Sequence, residues 1–214
     1  MFPILRTEIE SRFKLAEDVF KASRSLKGDV SQVAKGMIFV QVYAAYEYTV
    51  KSVVQSTVDG INSHGTKMED LLPTILCIYL NPELMSIRDV GEKGIWDARL
   101  KLFDKAFSKS VATVNSVTPH DGSHYKYSAL ELIFRVFSIT RLPVRRRSHI
   151  SRINEVVNNR NQIAHGSERA EEVGRRYTRE DILHIMRQMK SVCLLLHSIF
   201  EDYCVDPARH RRKT

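Results

Sequence analysis

The sequence predicts an all-α protein, a helical bundle in which long core helices pack antiparallel and are joined by short irregular segments. Apolar residues recur at intervals of three and four through long stretches of the chain, which is the spacing of one helix face. Glycine, proline, asparagine and serine mark the interruptions, and these residues end helices or form turns. Because the 214-residue chain is 43% apolar, it can bury a substantial core, and one domain over residues 1–204 is expected.

The first two helices are predicted over residues 3–27 and from a cap at Asp29 or Ser31 to about Ile61. The second of these should be the longest helix of the protein. Its small residues Ala44-Ala45 would allow a neighbouring helix to approach closely. The stripe expected to face the core is formed by Val33, Met37, Val40, Ala44 and Tyr48.

The middle of the chain predicts shorter elements. A helix over Met68–Tyr79 should end at Asn81-Pro82, and a second one should follow a polar stretch and span Ile95–Phe107. Residues 110–124 contain β-prone residues and turn formers, so they are expected to form a loop with room for one short extended piece.

Two histidines in that loop could suggest a metal site. His120 and His124 are four residues apart, with Asp121 between them. Pro119 and Gly122 oppose the helix that would align the two imidazoles. No zinc site is therefore expected here, and no cofactor is expected elsewhere in the chain.

The last third of the chain predicts three further elements. A strongly apolar helix over Ser128–Thr140 precedes a break at Pro143, and residues 167–176 form a charged loop. Thr178 and Asp181 have the spacing of a capping box, so a long final helix should begin there and run to about Tyr203. Its core face is expected to contain Ile182, Ile185, Met189, Val192, Cys193, Leu196, His197, Ile199 and Tyr203.

The cysteines and the chain start bear on the compartment. Cys77, Cys193 and Cys204 form no CxxC pair and are odd in number, so reduced intracellular thiols are expected. The chain has no apolar run of about 18 residues, and its start lacks the basic-then-apolar pattern of a secretory signal. These features predict a cytoplasmic protein without a membrane partner.

The net charge of +8 is concentrated late in the chain. Residues 1–140 contain 17 Lys and Arg against 16 Asp and Glu, whereas residues 141–214 contain 16 against 9. An uneven basic surface is typical of proteins that contact phosphates, although a solvated basic face would give the same count. The basic residues 205–214 are expected to form a disordered tail that could supply sequence-independent phosphate contacts.

The string RNQIAHG at residues 160–166 lies near the end of an amphipathic helix that begins with Arg145-Arg146-Arg147. Arg160 shares an apolar stripe, so it should face the core or a partner subunit. Asn161 and His165 are four apart and lie about one turn from each other. Gly166 is expected to close the helix in the left-handed conformation. A purely structural helix ending would account for the same residues. The stripe itself consists of Ile150, Ile153, Val157 and Ala164.

This string, late in an all-helical chain, resembles the signature of the HEPN superfamily, and the nearest likeness is to prokaryotic HEPN ribonucleases of the RiboL-PSP type. The segment AAYEYTVKSVV (Ala44–Val54) resembles the aromatic-Glu segment of their earlier long helix. The resemblance implies an HEPN-like bundle in which Arg160 and His165 are catalytic and Asn161 orients His165 or contacts phosphate. It also implies a composite site at a homodimer interface and a role in toxin–antitoxin growth arrest or phage defence, with a possible antitoxin or other regulatory partner.

The chemistry of these side chains suits RNA cleavage. RNA contains its own nucleophile, the 2′-hydroxyl, so cleavage requires a base, an acid and a cation beside the phosphate. Histidine can serve as base or acid, and a guanidinium matches two phosphate oxygens. One chain supplies one such Arg–His pair, and a symmetric dimer would bring two pairs together.

Other charged residues are candidate RNA-binding groups. Arg145, Arg146 and Arg147 oppose the helix dipole, so phosphate binding or plain solvation must account for them, and Arg152 follows one turn later. Glu47 and Lys51 are spaced as a surface ion pair, but Glu47 could instead orient Arg160.

Three hypotheses follow for the function of the chain. The first is a metal-independent endoribonuclease that cleaves single-stranded RNA. The second is a catalytically inactive HEPN module that binds RNA or a nucleotide, or that regulates a partner. The third is a helical scaffold in which RNQIAHG has a structural role.

Overall fold

The computed structural model describes residues 2–115, 118–119 and 124–212, and its secondary structure is helical. Within these residues the only β pairings are two isolated bridges, Lys67 with Val111 and Leu71 with Arg211. The all-α prediction is confirmed. None of the described helices has both the length and the apolar character that a membrane span requires. The α-helices are α1 Phe2–Ala22, α2 Gly28–Ser63, α3 Pro73–Tyr79, α4 Asn81–Asp89, α5 Ile95–Ala106, α6 Tyr127–Val136, α7 Arg147–Ala164, α8 Ala170–Arg175 and α9 Arg179–Val205.

Helices α2 and α9 form the centre of the bundle and run parallel to each other. Lys35 of α2 donates a hydrogen bond to the Tyr177 carbonyl just before α9 begins. Gly60, near the end of α2, lies beside Cys204 at the end of α9. The predicted core face of α9 is confirmed, since every residue named for it is buried, Cys193 and His197 included.

Helices α1 and α7 run antiparallel to this central pair. At one end of α1, Arg179 donates to the Phe20 carbonyl at 2.6 Å, and at the other end His197 contacts the Phe2 carbonyl at 2.7 Å. For α7, Arg152 bonds Gln188 within α9, whereas the later residue Asn159 bonds Tyr177 just before α9 begins. The long helices are therefore antiparallel as predicted, except for the parallel pair at the centre.

The stripe predicted to bury α2 was wrong. Val33 and Met37 are 37% and 43% exposed, and Ala44 is exposed as well. Apolar residues occupy more than one face of α2, so helical spacing alone does not identify the face that meets the core. The buried face instead contains Ile38, Phe39, Val42, Tyr43, Ala45, Tyr46, Val50, Val53, Val54, Val58 and Ile61.

Residues 167–176 were predicted to be a loop, but they contain helix α8, which packs closely against α2. A Cβ placed on Gly36 would lie 2.0 Å from the Ala170 carbonyl oxygen, and one on Gly174 would lie 1.9 Å from the Gln32 carbonyl oxygen. The two helices can approach this closely because neither glycine has a side chain. The small residues that matter are thus these glycines, and not Ala44-Ala45 as predicted.

Two boundaries in the first half of the chain also differ from prediction. Asn81-Pro82 begins helix α4 instead of ending α3, because proline lacks only an N–H that the first helical turn leaves unpaired. Helix α2 begins at Gly28 after Lys27, without a side-chain cap from Asp29 or Ser31. The prediction of a helix over 95–107 is confirmed by α5.

The C-terminal segment is ordered as far as it is described, which corrects the predicted disordered tail. His210 is fully buried, and its carbonyl accepts a hydrogen bond from the Leu72 backbone at 2.9 Å. The backbone N–H of Arg212 donates to Asp70 at 2.7 Å, and the Arg212 side chain donates to the Leu71 carbonyl. Residues up to 212 therefore belong to the domain, because its surface supplies partners for their backbone and side chains.

Replacing Gly174 with alanine should destabilise the fold, because the added Cβ would overlap the Gln32 carbonyl oxygen and force α8 away from α2. Overpacking of this kind costs about 1–3 kcal/mol. Urea unfolding followed by circular dichroism would measure the change in the free energy of unfolding. Gly91→Ala is the matched control, since a Cβ there meets open space and its φ of −73° suits any residue. Equal stability of the two variants would contradict the close helix contact.

Candidate active site

Helix α7 is held in register by hydrogen bonds centred on Tyr177, in the turn before α9. The Tyr177 hydroxyl donates to Glu155 Oε1 at 2.7 Å and accepts from Asn159 Nδ2 at 2.8 Å. Its ring packs against Phe39 of α2, with centroids 4.9 Å apart. Burial and the hydrogen bond to Glu155 raise the pKa of Tyr177 to about 12, so the hydroxyl keeps its proton near neutral pH. The residue preceding Arg160 is thereby fixed against both central helices.

Helix α7 ends as the sequence predicts. The His165 N–H donates to the Asn161 carbonyl at 2.9 Å, and Gly166 follows with a φ of +69°, in the left-handed region. His165 itself is exposed at the helix end. Ala164, predicted to lie on the buried stripe, is also exposed, because the last turn of α7 extends beyond the core.

Arg160 lies on the side of α7 that faces α2, as predicted from its place on the apolar stripe. Its Cζ atom is 4.6 Å from the centroid of the Tyr43 ring and lies over the ring face. Its Nη1 atom donates to Asn161 Oδ1 at 3.0 Å. Within the described part of the chain, no carboxylate forms an ion pair with Arg160. The guanidinium is half-buried. The Tyr43 ring and the Asn161 side-chain oxygen hold it in place, and neither group has a full negative charge that would neutralise it.

Asn161 contributes to the site through Arg160. The resemblance to HEPN ribonucleases implied that this residue orients His165 or contacts phosphate. In the structure its side-chain oxygen accepts from Arg160 at 3.0 Å, and its backbone carbonyl accepts the helical hydrogen bond from His165.

A second histidine, His124, lies in the same cluster. Its Nδ1 is 3.4 Å from Arg160 Nη1, and its ring centroid is 6.1 Å from that of His165. The His124 ring also contacts Tyr43 edge to face, at 6.1 Å. In the sequence His124 suggests only a metal ligand, since no local pattern links it to a motif 36 residues away. Its presumed partners His120 and Asp121 lie outside the described residues.

The electrostatic surroundings favour neutral forms of the two rings beside Arg160. The pKa of His124 is lowered below 6.5, first by burial and then by the positive charges of Arg160 and His165. The pKa of the Tyr43 hydroxyl is raised, first by burial and then by the nearby charge of Glu47. At neutral pH the cluster therefore contains one permanent cation beside an uncharged imidazole and an uncharged phenol.

Glu47 and Arg152, both named from the sequence, are engaged elsewhere. Glu47 pairs with Lys51 at 2.8 Å, as its spacing predicted, rather than with Arg160. Arg152 donates to Gln188 at 2.7 Å and pairs with Glu155. Arg152 is thus committed to contacts within the fold, and Glu47 affects the site only through its charge.

The triplet Arg145, Arg146 and Arg147 is exposed at the far end of α7 from the motif. Eighteen residues of helix separate the two ends, which corresponds to about 27 Å. Arg145 lines a surface cleft together with Arg187 and Lys190 of α9. The structure therefore brings Arg160, Asn161 and His165 together with His124, but not with the arginine triplet.

Comparison with known proteins identifies the family. The chain matches the family model described as RiboL-PSP-HEPN over residues 7–202, which span α1 to α9 and include the whole RNQIAHG string. No curated protein and no solved structure matches the chain. Since the match covers nearly the entire helical bundle, the resemblance predicted from the sequence is confirmed. The protein belongs to the RiboL-PSP-HEPN family.

Proposed function

We propose that this protein is a metal-independent endoribonuclease that cleaves single-stranded RNA. The observation that supports the proposal is the guanidinium of Arg160, which no described carboxylate neutralises and which lies beside the imidazole of His124, itself next to His165. A half-buried cation of this kind favours an anionic ligand, and a phosphodiester matches the geometry of a guanidinium. HEPN domains are also commonly ribonucleases.

The reaction uses the RNA itself as nucleophile. A base takes the proton of the 2′-hydroxyl, the oxygen attacks the adjacent phosphorus, and the 5′-oxygen leaves with a proton from an acid. Arg160 stabilises the charge that develops on the phosphoryl oxygens, and Asn161 orients its guanidinium. His165, exposed at the helix end, exchanges a proton with the substrate. The products are a 2′,3′-cyclic phosphate and a 5′-hydroxyl. DNA lacks the 2′-hydroxyl, so this reaction does not cleave it.

We extend the proposal to the biological setting on the basis of the family resemblance. HEPN ribonucleases of this type act as toxins or as effectors of phage defence, and we assign this protein the same kind of role in the cytoplasm. A nuclease that arrests its own host requires control, so an antitoxin or another regulatory protein is the expected partner.

We also propose that the protein acts as a homodimer. The exposed stripe on α2 formed by Val33, Met37 and Ala44 flanks the helix face on which Tyr43 contacts Arg160. Apolar residues exposed in a row on one helix favour burial against another protein surface. A second copy that covers this stripe would bring its own Arg160 close to the first and exclude water from the cluster.

Arg160→Ala and His165→Ala should each abolish cleavage of single-stranded RNA, because each removes a group that contacts the reacting phosphate. The loss of one such group lowers rates by roughly 10²–10⁴-fold. Denaturing gel electrophoresis of RNA incubated with protein in EDTA would measure cleavage, and the cyclic phosphate ends would be detected by their resistance to ligation.

Arg12→Ala is the matched control for these variants. The Arg12 guanidinium lies over the Tyr48 ring, 3.8 Å from its centroid, and therefore makes the same kind of contact away from the motif. This variant should retain activity, and all three should retain the helical circular dichroism signal. Tight RNA binding without turnover by the wild-type protein would instead support an inactive binding module. Markedly lower melting temperatures for both motif variants would support a structural role.

Met37→Glu should convert a dimer into monomers and reduce RNA cleavage, because a carboxylate would be buried at the centre of the α2 stripe. Sedimentation velocity would measure the oligomeric state. Leu142→Glu is the control, since Leu142 is 72% exposed in the loop between α6 and α7 and is not part of the α2 stripe. A wild-type protein that is monomeric at concentrations where it cleaves RNA would refute the dimer.

Replacing Arg145, Arg146 and Arg147 together with glutamine should weaken binding of long RNA and leave cleavage of a trinucleotide unchanged. A trinucleotide is too short to contact both ends of α7, which are about 27 Å apart. Loss of three phosphate contacts should lower the slope of log affinity against log salt by about 2. Fluorescence anisotropy across a salt series would measure this slope, and an unchanged slope would remove the triplet from the RNA-binding surface.

A further inference from the structure

We propose that His124 is a further catalytic residue, the general base that deprotonates the 2′-hydroxyl, and that it acts in the same subunit as Arg160 and His165. This inference rests on the proposed ribonuclease function and adds a residue to it. It also changes the reason for a dimer, since a single chain then contains both imidazoles that the reaction requires.

The orientation of His124 suits a base. Its Nδ1 atom lies 3.4 Å from Arg160 Nη1, and a guanidinium can only donate hydrogen bonds. Nδ1 therefore holds an unshared electron pair that accepts from Arg160, and this pair becomes available when a bound phosphate takes over the Arg160 N–H. The 2′-hydroxyl adjacent to that phosphate would then meet the same nitrogen, because nucleophile and phosphorus are neighbours in one nucleotide.

The position of His124 is built into the fold by its neighbours in the sequence. The His124 ring contacts the Tyr43 ring edge to face, with centroids 6.1 Å apart, which ties this segment to α2. The backbone N–H of Tyr127 donates to Asn154 Oδ1 at 3.0 Å, which ties it to α7. His124 is therefore attached to the same two helices that provide Tyr43 and Arg160.

The protons and bonds of the step balance between the two histidines. His124 Nδ1 takes the 2′-hydroxyl proton while the 2′-oxygen forms a bond to phosphorus. The bond between phosphorus and the 5′-oxygen breaks, and protonated His165 gives its proton to that oxygen. The enzyme ends with His124 protonated and His165 neutral, and exchange with water restores both.

The surroundings of His124 keep it unprotonated, as a base must be. Burial and the charges of Arg160 and His165 lower its pKa, and Lys126 acts in the same direction. The charge of Glu47 on α2 raises the pKa of His124, but by less than burial, Arg160 or His165 lowers it. The acid limb of the wild-type pH–rate profile should therefore lie below pH 6.5, the ordinary histidine value, because protonation of His124 stops the reaction.

His124→Ala should lower the rate of RNA cleavage by roughly 10²–10⁴-fold, the usual contribution of a general base. The variant should also lose the acid limb of the pH–rate profile. His184→Ala is the matched control, since His184 is an exposed histidine on α9. Circular dichroism and RNA affinity should be unchanged in both variants, because Arg160 still binds the phosphate.

A modified substrate separates the base from the acid. The substrate is RNA with sulfur in place of the 5′-oxygen at the mapped cleavage site. Its leaving group departs as a thiolate and needs no proton, because thiols are far stronger acids than alcohols. On this substrate His165→Ala should regain most of the wild-type rate, whereas His124→Ala should remain slow. Recovery of His124→Ala on the sulfur substrate would overturn its assignment as the base.

Co-expression of His124→Ala and His165→Ala chains tests whether the two histidines act within one subunit. Every subunit of the mixed dimer then lacks one histidine, so no site should be active. If His124 worked with His165 of the other subunit, one of the two sites would be intact and activity would return. Restored activity would overturn the assignment to a single subunit.

The outcomes distinguish this inference from the proposed function. If the wild type cleaves RNA and Arg160→Ala does not, full activity of His124→Ala would refute only the role of His124. If the wild type and His184→Ala fail to cleave any RNA, both the proposed function and the role of His124 are overturned.

Discussion

The charge of Arg160 is the constraint on which the candidate site depends. A half-buried cation is costly unless nearby groups compensate for the water it loses. The face of the Tyr43 ring, the side-chain oxygen of Asn161 and Nδ1 of His124 supply partial negative charge, and none of them is a carboxylate. These groups hold the guanidinium in place and leave its charge for an incoming anion. A carboxylate partner at the same position would stabilise the free protein and compete with a phosphate.

The rest of the fold keeps these groups in register. Tyr177 links Glu155 and Asn159 of α7 to the start of α9, and Lys35 of α2 donates to its carbonyl. Burial and the hydrogen bond to Glu155 raise the pKa of Tyr177 to about 12, so the hydroxyl keeps the proton that it donates to Glu155 near neutral pH. Helix α8 precedes the turn that contains Tyr177. Its close contacts with α2 at Gly36 and Gly174 fix the distance between these two helices. Small errors in either contact would displace Arg160 from Tyr43.

Local signals in the sequence predicted the parts of the structure that depend on neighbouring residues. The capping box at Thr178 and the left-handed Gly166 were predicted correctly, because each depends on a few adjacent positions. The position of His124 could not be predicted, since a tertiary contact brings it to Arg160 across 36 residues. The buried face of α2 was mispredicted, because apolar residues on two faces give the same spacing whichever face is covered. Helix α8 was missed because its charged sequence resembles a loop, and its stability comes from packing against α2.

The excess charge of the last third of the chain is less concentrated on the site than the sequence suggested. Arg152, Arg176 and Arg209 pair with acidic residues of the same third, and Arg175 pairs with Asp29 of α2, so these four arginines are engaged within the fold. The triplet at 145–147 stays exposed at the start of α7, and 13 residues of helix, or about 20 Å, separate Arg147 from Arg160. Helix α7 thus separates an exposed basic surface from the groups of the candidate site. This arrangement favours a polymer over a mononucleotide, because only a chain of phosphates can contact both ends of α7 at once.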